Sequence, residues 1–490
     1  MNYRTISSVF AIAAASLLWS GCSTIVNSHR QKEPMMEAYV KGDDAVVLEI
    51  IGDKLQSTSG TGDELMWVLE AGSMNFFTRN YPASLDYFRK AEDLINEYDE
   101  RALVSMRDSG SEVVMAVTNL NALPYRGFCR DRIALSFYKA LAYLGEDNEE
   151  AFRAQLRRLR EAQKKVMEDY QKFFEAEQKA VNQAREKDPE LAKSLDESGE
   201  KSLTDNVDNQ EFADCLKKTR EVANRGYGDF LNPAAIFLSG LGSLREGYYD
   251  NAVIDLRRLY EAMPANPTAR QYYVTAMQKA GNRIPPELKD VKPFEFPLES
   301  DCVYVIFSNG RGAAFKQVAI YLPVMTAWPV CEYYPAPYSN FQVKAGDGTY
   351  QSAVLADMDG ILSQEYDQRL TAMIVRIVIS TTIKEAAHYA GSYAAASQDP
   401  LAGVIVFIGG LIYKIPFNTA DTRSWEILPK EFQLTQFPMP QDHKITIIPD
   451  GNETLKKEIT IPEQYRSAII YVHTPSKDVF SVNVLGFKSK

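Results

Sequence analysis

Apolar side chains recur every three to four positions from about Met35 to Lys279, and Pro and Gly residues interrupt the pattern at intervals. This period predicts amphipathic helices joined by short turns. Residues 67–94 predict a pair of antiparallel helices, because Gly72 offers a close crossing point in the first helix and Phe88 is a bulky apolar residue in the second. The first half of the chain is therefore predicted to be helical.

The same arrangement returns in residues 232–264, where Gly240 and Ala252 are the small residues. Small residues at helix crossings, with larger apolar ones in the grooves between helix pairs, resemble the tetratricopeptide repeat of about 34 residues. Residues 133–144 keep a similar apolar face and are interpreted as a looser repeat. Leu259 departs from the repeat pattern. Because helical hairpins are common, a helical domain without repeats is the alternative interpretation.

A long amphipathic helix is predicted from residues 152 to 173. Its basic side chains alternate with Glu161 and Glu168, which indicates a solvated helix face rather than an anion site. Residues 187–210 are polar and contain no aromatic side chain, so they are predicted to be a polar connection within the helical part.

The pattern changes after Pro286. Short runs rich in β-branched residues, at 303–307, at 318–322 and again between residues 445 and 484, predict strands. The pair Asn309-Gly310 is typical of a hairpin turn and is predicted to join the first two of these strands.

These patterns predict an α+β protein of several domains. A tetratricopeptide-like helical domain is predicted at residues 35–284, and a β-rich C-terminal domain at residues 293–490. Two apolar helices are predicted inside the second domain, at 370–387 and 401–415. Burial against the sheet is the favoured interpretation, because the second run is shorter than the roughly twenty residues that a spanning helix needs. A membrane hairpin is the alternative.

The N-terminus has the three parts of a secretory signal, namely a positive start at Arg4, an apolar run at residues 9–18 and small residues before Cys22. A cysteine at this place resembles the bacterial lipobox, whose thiol receives a diacylglycerol, although Trp19 departs from that motif. The sequence thus predicts a signal peptide at residues 1–21 with Cys22 as the lipidation site. An ordinary signal peptide is the alternative.

Residues 22–34 are predicted to be a tether that follows the lipid anchor. Ser23 follows the lipidation site. In bacterial lipoproteins it is mainly Asp at this position that retains the protein in the inner membrane, so Ser23 resembles the residue of a lipoprotein sorted to the outer membrane. Two or three acyl chains would hold the protein stably at a membrane surface. The predicted location is the outer membrane of the cell envelope, facing the periplasm.

The amino-acid composition limits the classes of binding partner and the states open to the cysteines. The 54 Lys and Arg residues against 65 Asp and Glu residues give a net charge of -11, which argues against nucleic-acid binding. Four cysteines remain after the anchor, and an oxidising periplasm allows a disulfide between Cys302 and Cys331, the pairing favoured by their common β-rich segment. Four buried free thiols are the alternative.

No set of residues with catalytic spacing is found, and the four scattered histidines lack the spacing of a metal site, so neither metal nor cofactor is expected. One cluster, Asp421, Arg423 and Trp425, could grip a peptide terminus or a sugar face. The favoured interpretation is structural, with Asp421 accepting backbone hydrogen bonds and Arg423 pairing internally. Asp357 and Asp359 are interpreted as loop-capping residues rather than an acid/base pair.

Several short stretches together resemble a family of uncharacterised bacterial lipoproteins with tetratricopeptide-like helices before a β-rich domain. They are Cys22, the residues FYKALAYL up to Leu144, Asn232-Pro233 with LSGL, Asn309-Gly310, Asp357 and Asp359, Arg376 and Lys384, and DTRSW at 421–425 with Leu428-Pro429. The resemblance implies an envelope location, no established reaction and an assembly partner.

The predicted function is that of a lipid-anchored, non-enzymatic interaction scaffold or accessory subunit of an envelope complex, with a protein partner. A concave groove lined by aromatic residues between the repeats would support it. The alternative is an envelope hydrolase or wall-binding module in the C-terminal domain, which a deep polar pocket around Asp421 and Arg423 would support.

Overall fold

The computed structural model describes residues 28–107, 124–187, 209–228, 230–321, 325–370 and 420–488. Helices occupy the first part of the described chain. They are α1 (Ser28–Lys41), α2 (Asp44–Thr58), α3 (Glu64–Phe77), α4 (Tyr81–Arg107), α5 (Cys129–Gly145), α6 (Glu149–Lys187), α7 (Gln210–Ala223), α8 (Pro233–Arg245), α9 (Tyr249–Ala262) and α10 (Pro267–Lys279). A further helix, α11, covers residues 358–370 among the strands.

Close crossings fix the helical hairpins. A Cβ atom at Gly72 in α3 would lie 2.4 Å from the Cε1 atom of Phe88 in α4, so only a glycine fits there. Ser84 in α4 donates a hydrogen bond of 2.7 Å to the Gly72 carbonyl. Gly240 in α8 has the same relation to Leu256 in α9, at 2.9 Å. The predicted helical hairpins are thus present, whereas their membership of a repeat family stays a prediction.

The strands follow the helices and form three sheets. They are β1 (Cys302–Arg311), β2 (Ala314–Tyr321), β3 (Met325–Glu332), β4 (Phe341–Ala345), β5 (Gly348–Gln351), β6 (Ala353–Asp357), β7 (Pro429–Pro438), β8 (Lys444–Pro449), β9 (Lys457–Thr460), β10 (Ser467–Thr474) and β11 (Ser481–Phe487). A five-stranded sheet has the order β11-β10-β1-β7-β6, a four-stranded sheet the order β5-β4-β8-β9, and β2 pairs with β3 alone.

The five-stranded sheet is the middle layer of three. Its central strand β1 pairs in parallel with β10 and antiparallel with β7. Because side chains alternate along a strand, Val303, Val305 and Phe307 face the four-stranded sheet, whereas Tyr304 and Ile306 face the helices. The strand is buried on both faces, which explains its nearly continuous apolar sequence.

The helical layer and the sheet share one apolar core. The first helix of each hairpin, α3, α5 and α8, is buried along nearly its whole length. Aromatic side chains of these helices contact aromatic side chains of the sheet: Phe76 with Tyr471 at 5.1 Å, Phe137 with Phe432 at 5.3 Å and Phe237 with Tyr304 at 6.3 Å between ring centroids. The inner faces of the hairpins are therefore covered by the chain's own sheet.

A smaller apolar cluster lies at the end of the sheet where β1 stops. The hairpin β2–β3 extends from this end, and its Phe315 and Trp328 pack with Phe212 of α7 and with Tyr366 and Leu370 of α11. The Trp328 indole donates to the Tyr366 hydroxyl at 2.9 Å. This hairpin, with α7 and α11, forms a distinct lobe.

The architecture confirms an α+β fold with helices before sheets. The change from helices to strands falls between α10, which ends at Lys279, and β1, which begins at Cys302. Division into separately folding domains stays a prediction, although one apolar core crosses the boundary. The predicted apolar helices at 370–387 and 401–415, apart from residue 370, lie outside the described residues, as does almost all of the predicted connection at 187–210.

The hairpin turn predicted at Asn309-Gly310 is wrong. Both residues belong to β1, which continues to Arg311 and does not pair with β2. The Asn309 amide is buried and donates to the carbonyl of Tyr338 at 2.7 Å and to Glu431 at 2.8 Å. Tertiary hydrogen bonds thus override a local turn preference, and the positive φ of Gly310, 76°, is accommodated within the strand.

Candidate functional site

The predicted cluster Asp421, Arg423 and Trp425 lies in the segment 420–428, which runs from the first described residue after residue 370 to the start of β7. This segment is almost wholly buried between the helices and the end of the sheet. Trp425 is fully buried, and its indole nitrogen donates to the Ser73 hydroxyl of α3 at 3.1 Å. Its ring lies 6.2 Å from that of Phe88 and 6.0 Å from that of Tyr138, so it is a core residue.

The Arg423 guanidinium is enclosed by acceptors. Its Nε donates to Asp421 Oδ1 at 2.8 Å and its Nη2 to Asp421 Oδ2 at 2.7 Å, a bidentate pair. Its Nη1 lies 3.3 Å from Asp63 Oδ1 and 3.4 Å from the Gly62 carbonyl. Burial alone would lower the pKa of Arg423, but the two carboxylates outweigh it and raise that pKa. Burial raises the pKa of the Asp63 carboxyl, against the effect of Arg423.

Glu70 of α3 holds the segment by its backbone. Its carboxylate accepts the N–H of Glu426 at 2.8 Å and that of Ile427 at 3.2 Å. Lys32 of α1 pairs with the same carboxylate and also donates to the Ser424 carbonyl. Both charged side chains are fully buried, and burial raises the pKa of Glu70. The pair thus joins α1, α3 and the segment.

The sequence interpretation missed these two residues. Glu70 lies in the middle of an apolar helix, and a charge at a buried helical position is a signal for a paired group. Its partner could not be identified from the sequence, since Lys32 is 38 residues away and the capped amide of Glu426 is 356 residues away.

Further buried charged groups lie beside and within the segment. Arg130 of α5 is buried and donates from Nη2 to the Trp425 carbonyl at 3.1 Å and from Nε to Asp131 at 3.1 Å. Glu426 is buried beside Arg311, with 3.3 Å between Nη2 and Oε2, and beside His29, with 3.6 Å between Nδ1 and Oε1. Burial opposes ionisation of Glu426, but its cationic neighbours outweigh burial and lower its pKa.

His29 lies at the start of α1, between two carboxylates. Besides Glu426, it faces Glu332 of β3, with 3.6 Å between Nε2 and Oε2. The neighbouring Glu426 raises the pKa of His29, an effect that burial and Arg311 oppose. Protonation of His29 would therefore favour the contact between α1, β3 and the segment.

A second buried network extends from the segment into the sheet. The Tyr39 hydroxyl donates to the Ile427 carbonyl at 3.0 Å and lies 2.9 Å from Nε2 of His473, whose Nδ1 lies 3.0 Å from the Ser308 hydroxyl. Since Tyr39 has one proton, His473 must donate from Nε2 and accept from Ser308 at Nδ1. Phe77 stacks on the imidazole at 3.8 Å. Burial lowers the pKa of His473 to about 3, so the ring is neutral.

These contacts define what the cluster can do. Asp421 accepts the Arg423 backbone N–H at 3.2 Å as well as the guanidinium, and Trp425 presents no exposed face to a sugar. The residues correspond to the loop-fixing arrangement, because Arg423 points its donors at carboxylates of its own chain. Asp357 similarly accepts the Gly360 N–H at 2.9 Å, and Asp359 accepts that of Ala313 at 2.6 Å.

The predicted disulfide between Cys302 and Cys331 is not formed. Cys302 begins β1 and belongs to the core between helices and sheet, whereas Cys331 ends β3 and belongs to the separate lobe. Both are free buried thiols, and burial raises the pKa of each to about 12. Cys129 and Cys215 are also free thiols. The two cysteines occur in one β-rich stretch of sequence but at different places in the fold.

Within the described ranges, no three His, Cys, Asp or Glu side chains form a group that could hold a metal ion. Nor does any helix there combine the length and apolar character needed to cross a bilayer. Cys22 lies outside the described residues. Comparison of the chain with protein-family models, curated proteins and solved structures found no match.

Proposed function

We propose that this chain is a lipid-anchored protein of the bacterial cell envelope that acts as an interaction scaffold or accessory subunit of an envelope complex. The proposed anchor is Cys22, which follows the pattern of a signal peptide and lipobox. The described fold begins at Ser28, shortly after this cysteine, so the anchor would hold a folded body near the membrane. We propose no reaction for it.

The observation that carries this choice is the enclosure of the Arg423 guanidinium. Asp421 and Asp63 occupy its donors, and the side chain of Arg423 is 5% exposed. A hydrolase or wall-binding module at this place would need these groups to face a ligand. The enclosed pair instead supports a structural role, which leaves the surface of the body for binding.

A partner that binds the helical layer would bind its outer surface. The expected concave groove between repeats is filled, since the inner faces of α3, α5 and α8 pack on the sheet. The second helices of the hairpins lie outside. On α9 and in the turn before it, Ile254 is 52% exposed and Tyr248 is 58% exposed, unusually high for large apolar side chains. We propose this outer face as the place to search for the partner.

Photo-crosslinking in intact cells tests the proposal. A photoreactive phenylalanine analogue replaces Ile254 or Tyr248, and mass spectrometry identifies the adducts. Val46 of α2, which is 38% exposed, is the matched control position. We expect the same envelope protein at Ile254 and Tyr248 and not at Val46. Adducts with wall fragments alone, or no adduct that the control lacks, would contradict the scaffold and favour the C-terminal alternative.

The anchor is tested separately. Replacement of Cys22 by Ala should leave a soluble or unprocessed form, because no thiol is then present to receive the lipid. Membrane fractionation with detection of the processed form measures this. A processed C22A protein that stays with the membrane would reject lipidation as the anchor.

A further inference from the structure

The N-terminus of α1 is fixed to one end of the fold. Ser28 is buried, and its hydroxyl shares a hydrogen bond of 2.9 Å with the hydroxyl of Thr422. The His29 N–H donates to the same oxygen at 3.3 Å. One turn later Lys32 is fully buried in its pair with Glu70. The chain that leads to Cys22 therefore starts from a defined point and not from a loose end.

This point lies at the end of the sheet where β1 finishes. Arg311, the last residue of β1, contacts Glu426, and Glu426 contacts His29. The hairpin β2–β3 begins at the same end, and its Gln317 accepts the N–H of Ala420 at 2.9 Å. We call the N-terminus of α1, residues 420–422 and the hairpin β2–β3 the hairpin pole.

The opposite end of the sheet is far from this pole. β1 has ten residues and so separates its two ends by roughly 30 Å. At the start of β1, the Asp301 carbonyl accepts the N–H of Met439. Met439 precedes the turn between β7 and β8, which contains the exposed Gln441. Gln441 thus marks the distal end of the body.

The predicted tether, residues 22–34, is wrong in its second half, because residues 28–34 belong to α1 and are packed in the fold. The stretch that remains between Cys22 and Ser28 is too short to bridge that difference. Six Cα–Cα steps separate Cys22 from Ser28, and a fully extended chain of this length spans at most roughly 20 Å. Acyl chains on Cys22 would hold the hairpin pole within this distance of the headgroups. The distal end would lie farther out unless the body lay on its side.

We infer that the hairpin pole is the surface of this protein that faces the phospholipid bilayer, an inference that rests on the proposed lipid anchor at Cys22. Its charges are largely paired, as Lys316 is with Glu211 at 2.7 Å and His29 with Glu332 at 3.6 Å. The surface needs no anionic lipid, because the acyl chains supply the affinity. The helical outer face around α9 is then left accessible to a protein partner.

Fluorescence quenching at three positions tests the orientation. The full lipidated chain, with Cys215 replaced by Ser so that the remaining native thiols are buried, is labelled at R30C, K316C or Q441C. Arg30 and Lys316 represent the hairpin pole, and Gln441 is the matched distal control. Each protein is reconstituted into phosphatidylcholine vesicles that contain a lipid with a nitroxide on its headgroup.

We expect the fluorescence to be quenched at positions 30 and 316 and not at position 441. High salt should not change this pattern of quenching. Equal quenching at all three positions, strongest quenching at 441, or no quenching at any position in vesicle-bound protein would overturn the orientation while leaving the anchor intact. If the native chain fails to sediment with vesicles and the C22A chain behaves identically, the anchor is rejected and this inference with it.

Discussion

The neutral His473 makes a specific prediction about acid sensitivity. Burial lowers its pKa to about 3, against about 6.5 for an exposed imidazole. A group whose folded pKa is depressed takes up its proton preferentially in the unfolded state. The stability contributed by its neutral form is therefore complete above about pH 6.5 and is lost progressively as the pH falls towards about 3.

The magnitude follows from the two pKa values. At about pH 5 the unfolded imidazole is almost fully protonated and the folded one is neutral, so the free energy of unfolding falls by about 2 kcal/mol relative to neutral pH. His29 acts in the opposite direction, because Glu426 raises its folded pKa and its protonation stabilises the fold. The net change in the wild-type chain alone therefore does not isolate His473.

The assay compares the wild type with His473→Gln by urea unfolding at about pH 7 and about pH 5, in the C22A background. Glutamine keeps a donor and an acceptor but does not titrate, so the variant should lose about 2 kcal/mol less between the two pH values. Should the variant be too unstable for comparison, NMR of labelled histidines in the wild type replaces it, and the His473 signal should not titrate above about pH 4. Identical pH dependences of wild type and variant, or a midpoint near 6.5, would refute the reasoning.

Two further predictions concern packing and the buried ion pair. Gly72→Ala should lower the free energy of unfolding by about 1–3 kcal/mol, because its Cβ would overlap Phe88. The control variant Gly52→Ala, at an open position on α2, should be neutral or stabilising by up to about 1 kcal/mol. Thermal melts of both variants check this, and equal effects would contradict it. Glu70→Gln should lower the free energy of unfolding by about 3 kcal/mol or more, because Lys32 is left as a buried charge without its partner. Adding Lys32→Met should recover part of this loss. Urea unfolding that shows no recovery in the double variant would contradict this account.

The helical hairpins could be predicted because their signals are local. Gly72 and the residue that packs on it are 16 positions apart, and the spacing of small and large residues within one hairpin is enough to indicate the crossing. The order of helices before strands has the same origin, since helical and strand periods are properties of short windows. The helical hairpins and the order of helices before strands, which depend on periodicity within short windows, are therefore present in the fold.

The site could not be predicted in the same way, because its contacts join distant parts of the chain. The segment 420–428 depends on Glu70, whose role is visible in the sequence only as a charge within an apolar helix. The turn at Asn309-Gly310 and the disulfide of Cys302 failed for the same reason. Local preference suggested each of them, and tertiary packing decided otherwise.

The filled inner face of the helical layer changes how a partner of this protein should be sought. In a free repeat array the concave face is open, and removing the array would remove the binding surface alone. Here α3 and α5 bury Trp425 and cover the sheet, so their removal would expose the apolar face of β1 and β10 to water. A truncated chain would lose binding through misfolding as readily as through loss of an interface. Single substitutions on the outer helices leave this core intact. If Ile254→Asp weakens partner binding without changing thermal stability, the defect identifies an interface, which a truncation could not do.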